Sequence, residues 1–220
     1  MDASVAPRSR LSRDERMEQT LGVAHELFAE RGYAVVTMEE IAAAVGVTKP
    51  LLYNYFGNKE QLYIACMERA GDALTETVAT AVAASASPGE ALGAGVHAFF
   101  AFLDSDRAAW AVLFDETLPN HGDVADRVAS YRGRILEFVS SSMLAQLPER
   151  SRAGARTEIE ALSTALLGAA EALARWWLRT GSVSAETAAE LLISTVEPGL
   201  RARSAASSAS QSNRRGTSPR

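Results

Sequence analysis

The chain has 220 residues, 47% of them hydrophobic, with 22 basic against 27 acidic side chains and a net charge of -5. That apolar content supports one medium or two small domains with a buried core, and the acidic balance excludes a protein that coats nucleic acid along its whole surface. A single cysteine, Cys66, excludes a disulfide framework and a four-thiolate zinc site, so a reducing cytoplasm is the expected compartment, with no metal and no cofactor.

The first twenty residues are charged where a secretion signal would be apolar, and runs such as 93–103 are too short to span a bilayer. No membrane partner is expected. Residues 1–11 carry Arg8 and Arg10 with Pro7 and no periodicity, which reads as a flexible basic arm. Ser12 and Glu15 form a capping box, and Met17, Leu21, Ala24, Leu27 and Phe28 follow at helical spacing until Gly32, a left-handed stop.

Thr37 and Glu40 make a second capping box, closed by Gly46. Thr48 is expected to cap a third helix, where Pro50 is tolerated because the first turn lacks acceptors for its missing N–H. Asn58 with Gln61 opens a fourth helix running to about residue 86. Ser87-Pro88-Gly89-Glu90 starts another region, with helices expected at 89–103, 106–116, 121–147, 153–180 and 185–203, broken at Pro119, Pro148 and Gly181-Ser182. No stretch alternates with period two, so the fold class is all-α. The tail at 204–220 has no large apolar residue and reads as disordered; its Arg214, Arg215 and Arg220 are solvated or graze a polyanion.

Within Thr37 to Glu60, TMEEIAAAVGVTKPLLYNYFGNKE, the small Ala42 permits close helix crossing, Gly46 turns the chain, and Val47, Leu52 and Phe56 point inward. This is the pattern of a helix-turn-helix whose second helix enters a major groove. The only two lysines, Lys49 and Lys59, both fall here, against twenty arginines elsewhere. Each stands in a first helical turn, where a cation opposes the macrodipole unless an anion such as a DNA phosphate arrives. The third helix has no early acid to compensate. Tyr53 and Tyr55 can donate to phosphates or pack inward, while Asn54 can reach an adenine edge and Leu51 a thymine methyl.

Gly32-Tyr33, Thr37 before Ile41-Ala42, Gly46-Val47-Thr48, Tyr53, Tyr55-Phe56 and Asn58-Lys59-Glu60 together resemble the amino-terminal signature of TetR/AcrR family transcriptional regulators. The resemblance implies a three-helix DNA-binding domain and a helical-bundle domain for ligand binding and dimerisation. It assigns phosphates to Thr37, Tyr53 and Lys59, and a reading edge to Thr48, Lys49, Pro50 and Leu51. Many members carry glycine and threonine where this chain has Pro50-Leu51, and histidine where it has Tyr55, so its operator differs from theirs. The expected domains are an arm at 1–11, the helix-turn-helix at 12–57, a connecting helix at 58–86, a ligand-binding and dimerisation domain at 87–203, and the tail at 204–220.

The family's dimer interface lies on its last two helices. Independently, Ala165, Gly168, Ala169 and Ala172 interleave with larger residues up to Trp176, a pattern that allows close helix approach; Leu192 and Val196 add to it. A monomer's core would use the same pattern. Pocket candidates are His97, Phe100, Trp110, Phe114, Tyr131, Glu171 and Trp177, although aromatic stripes also build cores and Glu171 pairs readily with Arg175 at i, i+4. Asp115 and Glu116 would either attract a cationic ligand or end a solvated helix. His97, His121 and Cys66 stand without metal-ligand spacing.

The expected function is a ligand-responsive DNA-binding regulator: a homodimeric repressor released from a near-palindromic, double-stranded operator by a small apolar effector of unknown identity. An enzyme reading finds no Glu-x-x-His pattern, no phosphate-cradling glycine loop and no nucleophile cluster. An activator or architectural protein would share the same motif.

Overall fold

The computed structural model describes residues 12–199 apart from 116 and 120; the arm, the tail and Glu116 lie outside the described residues. Nine helices and no strand occur among those described. They are α1 (Arg13–Arg31), α2 (Met38–Val45), α3 (Lys49–Phe56), α4 (Lys59–Ala84), α5 (Pro88–Ser105), α6 (Arg107–Leu113), α7 (Asp123–Ala145), α8 (Glu149–Thr180) and α9 (185–199). No helix among them is long and apolar enough to cross a membrane.

Local signals place the amino-terminal helices. Ser12 and Glu15 form the reciprocal capping box of α1, Thr37 and Glu40 that of α2, and the Asn58 carboxamide accepts from the Gln61 N–H at the start of α4. After α2, Gly46 lies at φ 76, ψ 33, its N–H bonding Ala43 and that of Val47 bonding Ala42, the paired bonds of a Schellman motif. Gly32 also has positive φ, but its ψ of 158 sends the chain outward instead of making a left-handed helical turn.

Several carboxy-terminal boundaries move. α6 stops at Leu113, with Phe114 as its cap residue, short of the expected 116. α7 starts at Asp123, and α8 starts at Glu149 instead of 153, because Pro148, in extended geometry, serves as its cap residue and accepts from the Ser151 N–H.

The chain divides into two compact units. Among the described residues, the first takes 12–73 and 106–131 and the second 74–105 and 132–199. The first unit is thus discontinuous in sequence. In this unit α1 packs on α2 and α6, and α2 on α3. Its core is aromatic: Phe28 and Tyr33 each approach Tyr63, both at 5.0 Å in edge-on geometry. The buried Tyr63 hydroxyl donates to the Val112 carbonyl at 2.6 Å, and burial raises its pKa above the usual tyrosine range.

The second unit buries Phe100 against Trp177 at 5.7 Å, with Leu103, Ala174, Ala188, Ala189 and Leu192 around them. The Trp177 indole N–H donates to the Val183 carbonyl. Glycine sets a close approach here: a methyl on Gly95 would lie 3.1 Å from Val82.

Candidate nucleic-acid interface

α3 is two-faced. Leu52 is fully buried, a placement that stabilises the unit by about 1.5–3 kcal/mol. Thr48, Lys49, Pro50, Tyr53 and Asn54 are exposed, and Leu51, Tyr55 and Phe56 are half-buried. Positions 49, 50, 53 and 54 share one side of a helix, so the exposed set is a continuous strip. Tyr53 remains 39% exposed, unusual for so large an apolar ring.

The Thr48 hydroxyl of the strip is available. Thr48 occupies the cap position with extended geometry, but its hydroxyl makes no capping bond, contrary to the expectation from sequence. The reason is local: the second helical residue is Pro50, which has no N–H, and the Leu51 N–H goes to the Thr48 backbone carbonyl at 3.0 Å. The hydroxyl is left for an external partner.

Lys49 and Lys59 differ from the sequence argument, which weighs only the macrodipole. Lys49 forms an ion pair with Glu39 of α2, and its ammonium lies 5.7 Å from the Tyr53 ring centre. The early acid missing from α3 is supplied across the turn. Both partners are well exposed, and such pairs contribute about 0–1 kcal/mol, so a phosphate displaces Glu39 at small cost.

Lys59 is committed inward. Its ammonium donates to the carbonyls of Val36 at 2.8 Å and Ala34 at 3.5 Å, over the Tyr33 ring at 4.5 Å. Burial holds it below the usual lysine range, with Glu40 opposing that shift. Two of its three donors therefore fix the loop between α1 and α2. Thr37 is likewise engaged: its N–H and its hydroxyl both donate to Glu40, leaving neither for a phosphate in this geometry.

Two further residues hold this region in place. The Arg13 guanidinium lies 5.7 Å from the Tyr55 ring centre and so ties the start of α1 to α3. Arg13 is also a first-turn cation, so the rule applied to the lysines flags it equally. Asp115 accepts from the Tyr33 N–H at 2.7 Å and from the backbone and hydroxyl of Thr117. It fastens the loop after α1 to the one after α6. Nothing in its own neighbourhood of sequence signals this.

The pocket candidates are distributed over both units. In the second unit Phe100 and Trp177 are core residues against each other, His97 is exposed and Glu171 half-buried. In the first, Trp110 stacks on Phe114 at 4.1 Å, and the Tyr131 ring lies against the backbone of Gly71. On the suggested dimer face, Ala165, Gly168, Ala172 and Trp176 are exposed, whereas Ala169 and Val196 are half-buried. Leu192 is 4% exposed and belongs to its own protomer's core; its neighbour Leu191, 46% exposed, occupies the outward position.

A short, two-faced helix following a tight glycine turn defines the class: a helix-turn-helix protein. The model of bacterial regulatory proteins of the tetR family matches residues 21–66, and that of the tetracyclin repressor-like carboxy-terminal domain matches 88–197. The chain belongs to the tetR family. It is 38% identical over 120 residues to the HTH-type transcriptional activator FasR of Mycolicibacterium smegmatis, a match covering 54% of this chain and 55% of that one. A TetR-like transcriptional regulator from Rhodococcus sp. RHA1 superposes with a TM-score of 0.70 and 32% identity, over 87% of this chain and 99% of the other. AibR, solved with isovaleryl coenzyme A and operator DNA, gives a TM-score of 0.66 at 25% identity, over 84% and 99%.

Proposed function

We propose that this protein is a dimeric, ligand-responsive transcriptional regulator that reads DNA with α3. The observation that carries the reading is the strip of Thr48, Lys49, Pro50, Tyr53 and Asn54, exposed while Leu52 holds the other side of the helix in the core. Thr48, Tyr53 and Lys49 contact phosphates; Pro50, Leu51 and Asn54 meet base edges. Tyr55 steadies the strip through Arg13. Lys59 mainly fixes the loop between α1 and α2, and its remaining N–H faces the backbone of the DNA.

One short helix specifies few base pairs, so two half-sites about 34 Å apart, read by a twofold dimer, supply the affinity. The interface uses Ala165, Gly168, Ala169, Ala172 and Trp176 of α8, with Leu191 and Val196 of α9. The effector is a small molecule with an apolar part. Isovaleryl coenzyme A, held by AibR, is the first compound to try, and His97, Trp110, Phe114 and Glu171 are the first residues to change.

Selection of bound duplexes from a random library tests this reading, and a near-palindrome is the expected product. On that duplex, Lys49→Ala should flatten the salt dependence by about one unit without altering Tm, whereas Lys59→Ala should lower Tm as well. Recovery of no preferred sequence would overturn it. Release by effector marks a repressor. The likeness to FasR, named as an activator, favours a second reading in which the same complex raises transcription; a promoter assay separates the two.

A further inference from the structure

α2 carries two acids in its first turn, and they do different work. Glu40 closes the capping box on Thr37 and pairs with Arg31, so its carboxylate is part of the framework of the first unit. Glu39 takes no part in the cap. It is exposed, and its carboxylate reaches across the turn to the ammonium of Lys49, the first residue of α3. A first-turn acid suits the macrodipole of α2, but that preference does not direct the side chain toward another helix. Lys49 is followed at once by Pro50 and Leu51, so Glu39 stands beside the end of α3 that a helix-turn-helix puts into the major groove.

When α3 docks on DNA, Lys49 leaves Glu39 for a phosphate. The exchange frees a carboxylate at the groove, among charges of its own sign. A carboxylate only accepts hydrogen bonds, and withdrawn from water it is costly unless a donor meets it. The base edges differ in what they offer. Guanine presents the N7 and O6 acceptors and thymine the O4 acceptor, which repel a carboxylate. Adenine presents its N6 amino group beside the N7 acceptor, whereas cytosine presents its N4 amino group with no acceptor beside it.

We infer that Glu39 is a specificity-determining residue that reads a cytosine in each half-site. Its carboxylate accepts from the N4 amino group once Lys49 has moved to a phosphate. This rests on the reading of DNA by α3 and adds to it a base contact made from α2. Selectivity has two sources: a bond gained on cytosine, and an unpaired carboxylate on any other base. Before DNA arrives, the pair with Lys49 holds the carboxylate at the entering end of α3.

The test selects duplexes from a random library with the full chain and with Glu39→Ala and Glu39→Gln. The parent should require cytosine at one position of each half-site. Glu39→Ala should lose that requirement and keep the others, and Glu39→Gln should exchange it for adenine, whose N6 and N7 suit a carboxamide. Titration of the recovered duplex gives the magnitude. Replacing the cytosine by thymine should weaken the parent about tenfold and Glu39→Ala by less than about twofold. Both variants should retain the parent's helical content, because the capping box of α2 uses Glu40.

Identical base preferences in the parent and Glu39→Ala would overturn the inference. So would an equal gain in affinity on every sequence, which would leave Glu39 only repelling phosphates. Leu51→Ala and Asn54→Ala separate this failure from a wider one. If they alter preference while Glu39→Ala does not, α3 reads the DNA and Glu39 does not; if none of the three alters it, the reading by α3 falls as well.

Discussion

Glu40 accepts hydrogen bonds from the backbone and hydroxyl of Thr37 and an ion-pair contact from Arg31 at 2.9 Å. The Thr37 bonds, then Arg31, hold its carboxyl below the usual range. A depressed carboxylate contributes stability that is present above the unfolded-state pKa and lost as pH falls through the folded one. Glu40→Gln should therefore lower Tm at pH 7, and the gap to the parent should close below about pH 4. A gap that persists in acid would show that the carboxylate's charge is irrelevant. Cys66 illustrates the opposite environment. Burial pushes its thiol up to about 12, and Sγ lies 3.6 Å from the Leu21 carbonyl. Because the thiolate is the reactive species, iodoacetamide at pH 8 should leave the folded chain unmodified by mass and label it rapidly in denaturant. Fast labelling of the folded chain would show that the thiol is accessible and ionises readily.

At the scale of elements, the legible features were those whose cause lies within one turn of sequence. Ser12 with Glu15, Thr37 with Glu40 and Gly46 after Val45 announced their helices because each cap closes over three or four residues. Lys49 with Glu39, Lys59 with Val36 and Tyr33 with Asp115 are separated by 10, 23 and 82 residues, and no local propensity encodes them. The lysines therefore stand out in the sequence as unusual, whereas their partners within the protein do not. α4 holds a contact of the same long-range kind. A methyl on Gly71 would fall on the hydroxyl end of the Tyr131 ring, so one of the two must shift. Gly71→Ala should cost about 1–3 kcal/mol. Adding Tyr131→Ala should recover part of that loss, since the two changes share one space. Denaturant unfolding of the four species measures the coupling, and strict additivity would refute the contact.

For the whole molecule, the helical class is readable from periodicity and from the resemblance, but not the way the first unit is assembled from two stretches of chain. The outward face of α8 was readable too, through its small residues, whereas the side on which α9 turns was not: Leu191 and Leu192 are chemically identical, and only packing decides that Leu192 is inside. Trp176, 36% exposed, is the largest side chain of the proposed interface. Trp176→Arg should halve the mass seen by light scattering at micromolar concentration and abolish preference for a palindrome over a single half-site, with helical content unchanged. A parent that is already monomeric would remove the dimer from the model of action.

The bond from Tyr33 to Asp115 has a consequence for how such a protein can be taken apart. A fragment cut after residue 86 would keep all three helices of the reading motif and still strand the Tyr33 N–H, the Tyr63 hydroxyl and the side of His25 that faces Asp106 at 3.6 Å. The motif is contiguous on paper and non-portable in practice. Moving the motif into another protein with its hydrogen bonds intact means carrying 106–131 with it, a second piece of chain far from it in sequence.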